Sequence, residues 1–116
     1  MERILAELNK VAGVKGSMVV TKDGVVVAES LGPDLEKTSV AAVSSHMIQV
    51  GERGLNDLGR QHFKQLTLTS AHGRIVFVNL EVGYLVVITK MEMRLEQVLI
   101  EVESAARRIR GLNKRI

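Results

Sequence analysis

The stretch HGRIVFVNLEVGYLVVITK, His72 to Lys90, decides how this chain folds. It reads as two strands joined by a tight turn. Side chains alternate across a strand, so Ile75 and Phe77 point one way and Val76, Val78 and Leu80 the other. In the second strand Tyr84, Val86 and Ile88 oppose Leu85 and Val87. A hairpin wetted on one face should alternate apolar with polar residues. This one is apolar on both faces, so each face needs cover.

The flanking sequence supplies it. ERILAELNKV places Ile4, Leu5, Leu8 and Val11 at helical spacing, and Gly13 closes the helix. SMVVTKDGVVVAES holds two Val-rich runs around Asp23-Gly24, a strong hairpin signal. Gly13 and Gly16 are assigned to the turn that leads into it. LGPDLEK then breaks the strand, with Pro33 near a helix start and Asp34 as the cap. The helix that follows, Thr38 to Gly51, contains no Lys, Arg, Asp or Glu.

At about 100° per residue that helix carries three stripes. Val40, Val43, Met47 and Val50 form the main apolar face. Ala41, Ser44 and Ile48 form a smaller second one. Thr38, Ser45, Gln49 and Arg53 make the polar remainder. A helix that only covers a sheet needs one apolar stripe, so the second stripe predicts another helix packed alongside.

ERGLNDLGRQ reads as a Gly-rich loop tethered by Leu55 and Leu58. HFKQLTLTS joins the opening hairpin as the first strand of a meander, and its polar Lys64, Gln65, Thr67 and Thr69 suit a sheet edge. LEQVLIEVESAARRIRGL lines Leu95, Val98, Leu99, Val102, Ala105, Ala106 and Ile109 along one face. The prediction is one α+β domain over residues 1–116. It is a five-stranded antiparallel sheet with helices on both faces, in the order α-ββ-α-βββ-α.

Composition narrows the function. Cysteine is absent, which excludes disulfides, thiolate nucleophiles and Cys-based zinc sites. Phe63, Phe77 and Tyr84 are the whole aromatic complement, too few for a base-stacking platform, and this argues against nucleic acid. No apolar run approaches the ~20 residues that span a bilayer. The charged N-terminus lacks a secretory core, and a cytoplasmic protein without membrane insertion is expected. The net charge of +3 is uneven. Arg107, Arg108, Arg110, Lys114 and Arg115 cluster at the C-terminus, where cations suit a helix end or an anionic partner.

Motifs for catalysis are missing. GVKGS does not continue into a P-loop. His46, His62 and His72 lack ligand spacing; His46 is read as part of the polar-to-neutral helix surface and the other two as solvated. Ser44 and Ser45 beside His46 do not make a nucleophile and base, because adjacent helical residues do not face each other. Met47, Met91 and Met93 are read as packing residues. A nonenzymatic chain without cofactor or metal follows.

With these elements in place, GVKGSMVVTKDGVVVAES, TSVAAVSSHMIQVG and GRIVFVNLEVGYLVVITK followed by a helix ending ARRIRGL resemble the Roadblock family, MglB-type bacterial GTPase regulators included. The likeness spans nearly the whole chain. In KMEMRLEQ the chain departs from the Asn-Leu-Gly type turn that many members have after the last strand. The resemblance implies a Roadblock/profilin-like fold, and a dimer with itself or a paralogue in which central helices lie side by side and sheets join edge to edge. Ala41, Ser44 and Ile48, with Phe63, Gln65, Thr67 and Thr69, are the expected dimer interface. It also implies a noncatalytic regulator or scaffold of a small Ras-like GTPase, docked on Thr38, Ser45, Gln49 and Arg53. The alternative is an adaptor that bridges a larger complex without sensing nucleotide.

Overall fold

The computed structural model of the chain describes residues 1–59, 62–90 and 94–113. Helix α1 (Glu2–Leu8) leads into strands β1 (Val14–Val20) and β2 (Val26–Leu31), then helix α2 (Lys37–Asp57). Strands β3 (Gln65–Ser70), β4 (Gly73–Asn79) and β5 (Tyr84–Thr89) follow, and α3 (Leu95–Asn113) ends the fold. The strands form one antiparallel sheet in the order β2-β1-β5-β4-β3. Element order and fold class are those predicted from sequence.

The alternation in the opening stretch is the key to the packing. Val76, Val78, Leu85 and Val87 enter a core with Leu5 and Leu8 of α1 and Val98, Val102 and Ile109 of α3. Phe77, Tyr84 and Val86 enter a second core beneath α2, with Met18 and Val20 of β1. Two helices therefore cover one face and a single helix the other. Two glycines shape the sheet. Gly24, at φ 89°, closes the β1–β2 turn, with its N–H donating to the Thr21 carbonyl at 3.0 Å. A β-carbon on Gly83 would lie 2.6 Å from the Val20 carbonyl oxygen, so β5 can begin this close to β1 only as glycine.

Several boundaries differ from the sequence reading, each for a local reason. Helix α1 stops at Leu8, well before Gly13, because the Asn9 side chain is used across strands. Its amide donates to the Ser30 carbonyl at 2.6 Å, and its oxygen accepts from the buried Ser17 hydroxyl at 2.8 Å. Gly16 lies inside β1, where Leu31 and Leu35 close around it, and only Gly13 serves the turn. Glu36, not Asp34, caps α2: its carboxylate accepts from the Ser39 N–H. Helix α2 runs on through ERGLND to Asp57. A helical glycine costs about 1 kcal/mol relative to alanine, but Gly51 lets Phe63 and Leu66 come within 3.3 Å of where a β-carbon would sit. Packing of Ile48 and Leu55 on the sheet holds this extension. Arg60 and Gln61 of the loop reading, Met91 and Met93 in the departing KMEMRLEQ segment, and Lys114 and Arg115 of the basic tail lie outside the described residues.

The buried stripe of α2 is the largest correction. Ala41, Ser44 and Ile48 were assigned to a partner, yet they are buried against the chain's own sheet, and Ile48 has no exposed surface. Ala41 and Ser44 are small, which lets the helix sit close to the strands. Ile48→Glu is therefore expected to unfold the protomer, because it places an unpaired carboxylate in the core. Circular dichroism should show lost cooperative melting. A soluble, folded monomer would contradict this placement.

Candidate interaction surface

The outer strands of a five-stranded sheet lie about 19 Å apart at ~4.8 Å per strand, and one helix covers only about 10 Å. Helix α2 crosses its face diagonally. Its start lies over the β1–β2 corner, where Leu35 packs beside Gly16, and Gly51 packs on Phe63 and Leu66 at the head of β3. The opposite corner is left partly open. Leu68, Ile75 and Ile88 are half-buried there and line a hollow of about 220 Å³, with Lys15 and His72 also lining it.

Helix α2 itself carries an exposed apolar stripe. Val43 is 53% and Val50 49% exposed, while Val40 and Met47 are half-buried against the sheet. The orientation of α2 follows from its two flanks. Gly51 meets the β3 side, whereas the Ser45 hydroxyl donates to the Lys22 carbonyl at 3.0 Å on the β1–β2 side. Placing residues ~100° apart puts Val40, Val43, Met47 and Val50 on the β3 flank. Strand β3 is itself a sheet edge, so one row of its backbone groups faces no strand. The open helix stripe and the hollow both lie on the β3 side of this face.

The predicted site residues divide accordingly. Gln65 and Thr69 are exposed and Thr67 half-buried on the edge strand. Phe63 is not available to a partner: it is buried, with its ring 5.3 Å from that of Tyr84. Thr38, Gln49 and Arg53 are exposed on the outer side of α2. Ser45 is half-buried, with its hydroxyl committed to Lys22.

The sequence reading missed a buried polar cluster beneath the C-terminal half of α2. Glu52 is 8% exposed and follows Ile48 by one turn on the sheet-facing stripe. One carboxylate oxygen accepts from the Tyr84 hydroxyl. The other lies 2.8 Å from Nδ1 of His62, which is therefore not simply solvated. The available signal was the position of Glu52, four residues after Ile48 and three before Leu55, inside an apolar stripe. Burial, reinforced by the adjacent carboxylate, pushes the Tyr84 phenol well above its ordinary pKa.

Residues 1–89 match the model of the Roadblock/LC7 domain. The chain belongs to the Roadblock/LC7 family. It is similar to the uncharacterized protein MJ1340 of Methanocaldococcus jannaschii, with 35% identity over 97% of this chain and 98% of that one. Among solved structures it is similar to MglB of Myxococcus xanthus, with a TM-score of 0.90, 18% identity, and coverage of 99% and 95% of the two chains. A structure of MglB in a tetrameric arrangement matches with a TM-score of 0.85, 14% identity, and coverage of 97% and 87%. These likenesses establish the MglB-type Roadblock fold. Among the described residues no helix is long and apolar enough to cross a membrane.

Tyr84 is the sole tyrosine, so absorbance at 295 nm reports it alone. Its raised folded pKa means that the folded chain holds the phenolic proton more tightly than the unfolded chain. This contribution to stability is intact below the ordinary value of 10.0 and is lost as pH rises above it. Phenolate absorbance should lag behind that of the unfolded chain, and melting temperature should fall above pH 10.0. Ionisation of the native protein at 10.0 would contradict the buried cluster.

Proposed function

We propose that this Roadblock domain is a noncatalytic regulator or scaffold that pairs with a second copy of itself or a paralogue and binds a small Ras-like GTPase in the cytoplasm. The observation that carries this reading is the open α2 flank beside an open β3 edge. A second α2 laid alongside Val43 and Val50 would cover that exposed stripe, and β3 could pair with its mate to extend the sheet. Membership of a family with MglB-like folds supports self-association, as does the tetrameric arrangement of that MglB structure. Gln65, Thr67 and Thr69 fit the strand part of this interface, and Val43, Met47 and Val50 replace Ala41, Ser44 and Ile48 in the helix part. The docking face for the GTPase is the outer side of α2, through Thr38, Gln49 and Arg53, with Ser45 contributing only position.

Val43→Glu/Val50→Glu is expected to leave the fold intact, because both side chains are half-exposed, and to abolish pairing. Sedimentation should shift from a multiple of 12.8 kDa to the single protomer mass. A wild-type chain that stays a monomer at high concentration would refute the pairing.

Binding to candidate GTPases is expected to differ by at least about tenfold between GDP and GTP-analogue states, a difference of about 1.4 kcal/mol. Calorimetry with each nucleotide state measures it. A ligand that binds two states equally shifts neither, so equal affinities would make the chain an adaptor. No binding in either state would remove the GTPase from the account.

A further inference from the structure

The β1–β2 turn, α2 and the segment before β3 converge on a second cleft, of about 320 Å³, on the opposite flank of α2 from the pairing surface. Lys22, Gln49, Arg53, Asn56 and His62 line it, and Glu52 lies at its base. Gln49, Arg53 and Asn56 recur at helical spacing on one face. That face is roughly a third of a turn from Val43 and Val50. A copy seated on the valines leaves Gln49 and Asn56 open, with Arg53, three residues after Val50, at the border of the two surfaces.

Among the described residues the one carboxylate lining the cleft is already engaged. Tyr84 donates to one oxygen of Glu52 and His62 lies against the other. With its Nδ1–H turned to Glu52, His62 has no lone pair there for Lys22, whose ammonium stands 3.5 Å away. Neither Lys22 nor Arg53 has an acidic side chain within ion-pair distance among the described residues. Two arginines of α3 do: Arg108 lies 2.7 Å from Glu7, and Arg110 lies 3.3 Å from Glu103. The cleft mouth thus presents an ammonium, a guanidinium and two side-chain amides, with no free acceptor charge to balance them.

The geometry points to a receptor cleft for an acidic side chain on a segment of the docked partner protein, held between Lys22 and Arg53. Charge complementarity selects this occupant, because two cations line the cleft and Glu52 pairs with neither. The inference rests on the reading of the outer face of α2 as a docking surface, and it adds Lys22, Asn56 and His62 to that surface.

The test is an amide chemical-shift titration of the full chain with a hexaglutamate peptide, alongside inorganic phosphate. Saturable shifts at Lys22, Gln49, Arg53, Asn56 and His62 are expected, with phosphate much weaker. Lys22→Glu/Arg53→Glu should weaken the peptide by about tenfold or more while keeping the native spectrum; both side chains are exposed. Shifts confined to Arg107, Arg108 and Arg110, no shifts, or equal saturation by phosphate would each overturn the proposal. The GTPase reading is separable. If a GTPase binds wild type and the double variant equally, the cleft assignment fails and the docking reading stands. If hexaglutamate binds as expected and no GTPase does, the reverse holds.

Discussion

One helix is too narrow to cover a five-stranded sheet, and the rest of this structure depends on that mismatch. On one face α1 and α3 together build a core over β1, β2, β4 and β5. On the other, α2 works alone. It is anchored through Ile48 and the small Ala41 and Ser44, and it leaves Leu68, Ile75 and Ile88 half-covered beside the β3 edge. Burial of apolar area stabilises by ~25 cal/mol per Å², so this corner represents free energy that the isolated protomer does not realise. A second helix of the same shape is the simplest object that would realise it.

The position of α2 is also set by polar chemistry. Glu52 sits on the sheet-facing stripe, where an unpaired carboxylate would oppose packing. Tyr84 and His62 satisfy it from two different elements. The pairing ties the C-terminal half of α2 to the first residue of β5 and to the segment entering β3. Glu52 and His62 also line the cleft on the Lys22 flank of α2. A single buried acid thus ties three elements together beneath α2.

Much of this was legible in the residues. The two-faced alternation of Ile75 to Leu80 and Tyr84 to Ile88 required cover on both sides, and the element order followed. The polar character of Gln65, Thr67 and Thr69 marked an edge, and β3 is one. The helical stripes of α2 were also visible, but periodicity gives only the angles between stripes. It does not say which stripe meets the sheet. The tertiary contacts decided that: Ala41, Ser44 and Ile48 meet the sheet, and Val43 and Val50 are left outside.

What the sequence determined by itself was therefore the list of elements, the two-sided burial of the sheet and the absence of a recognised catalytic motif, since each depends on local spacing and residue type. Only the tertiary structure decided which face of α2 is spent internally, how far that helix runs through its glycines, and that Glu52, Tyr84 and His62 meet. Those outcomes depend on distances between segments far apart in the chain, and close packing, not periodicity, sets such distances.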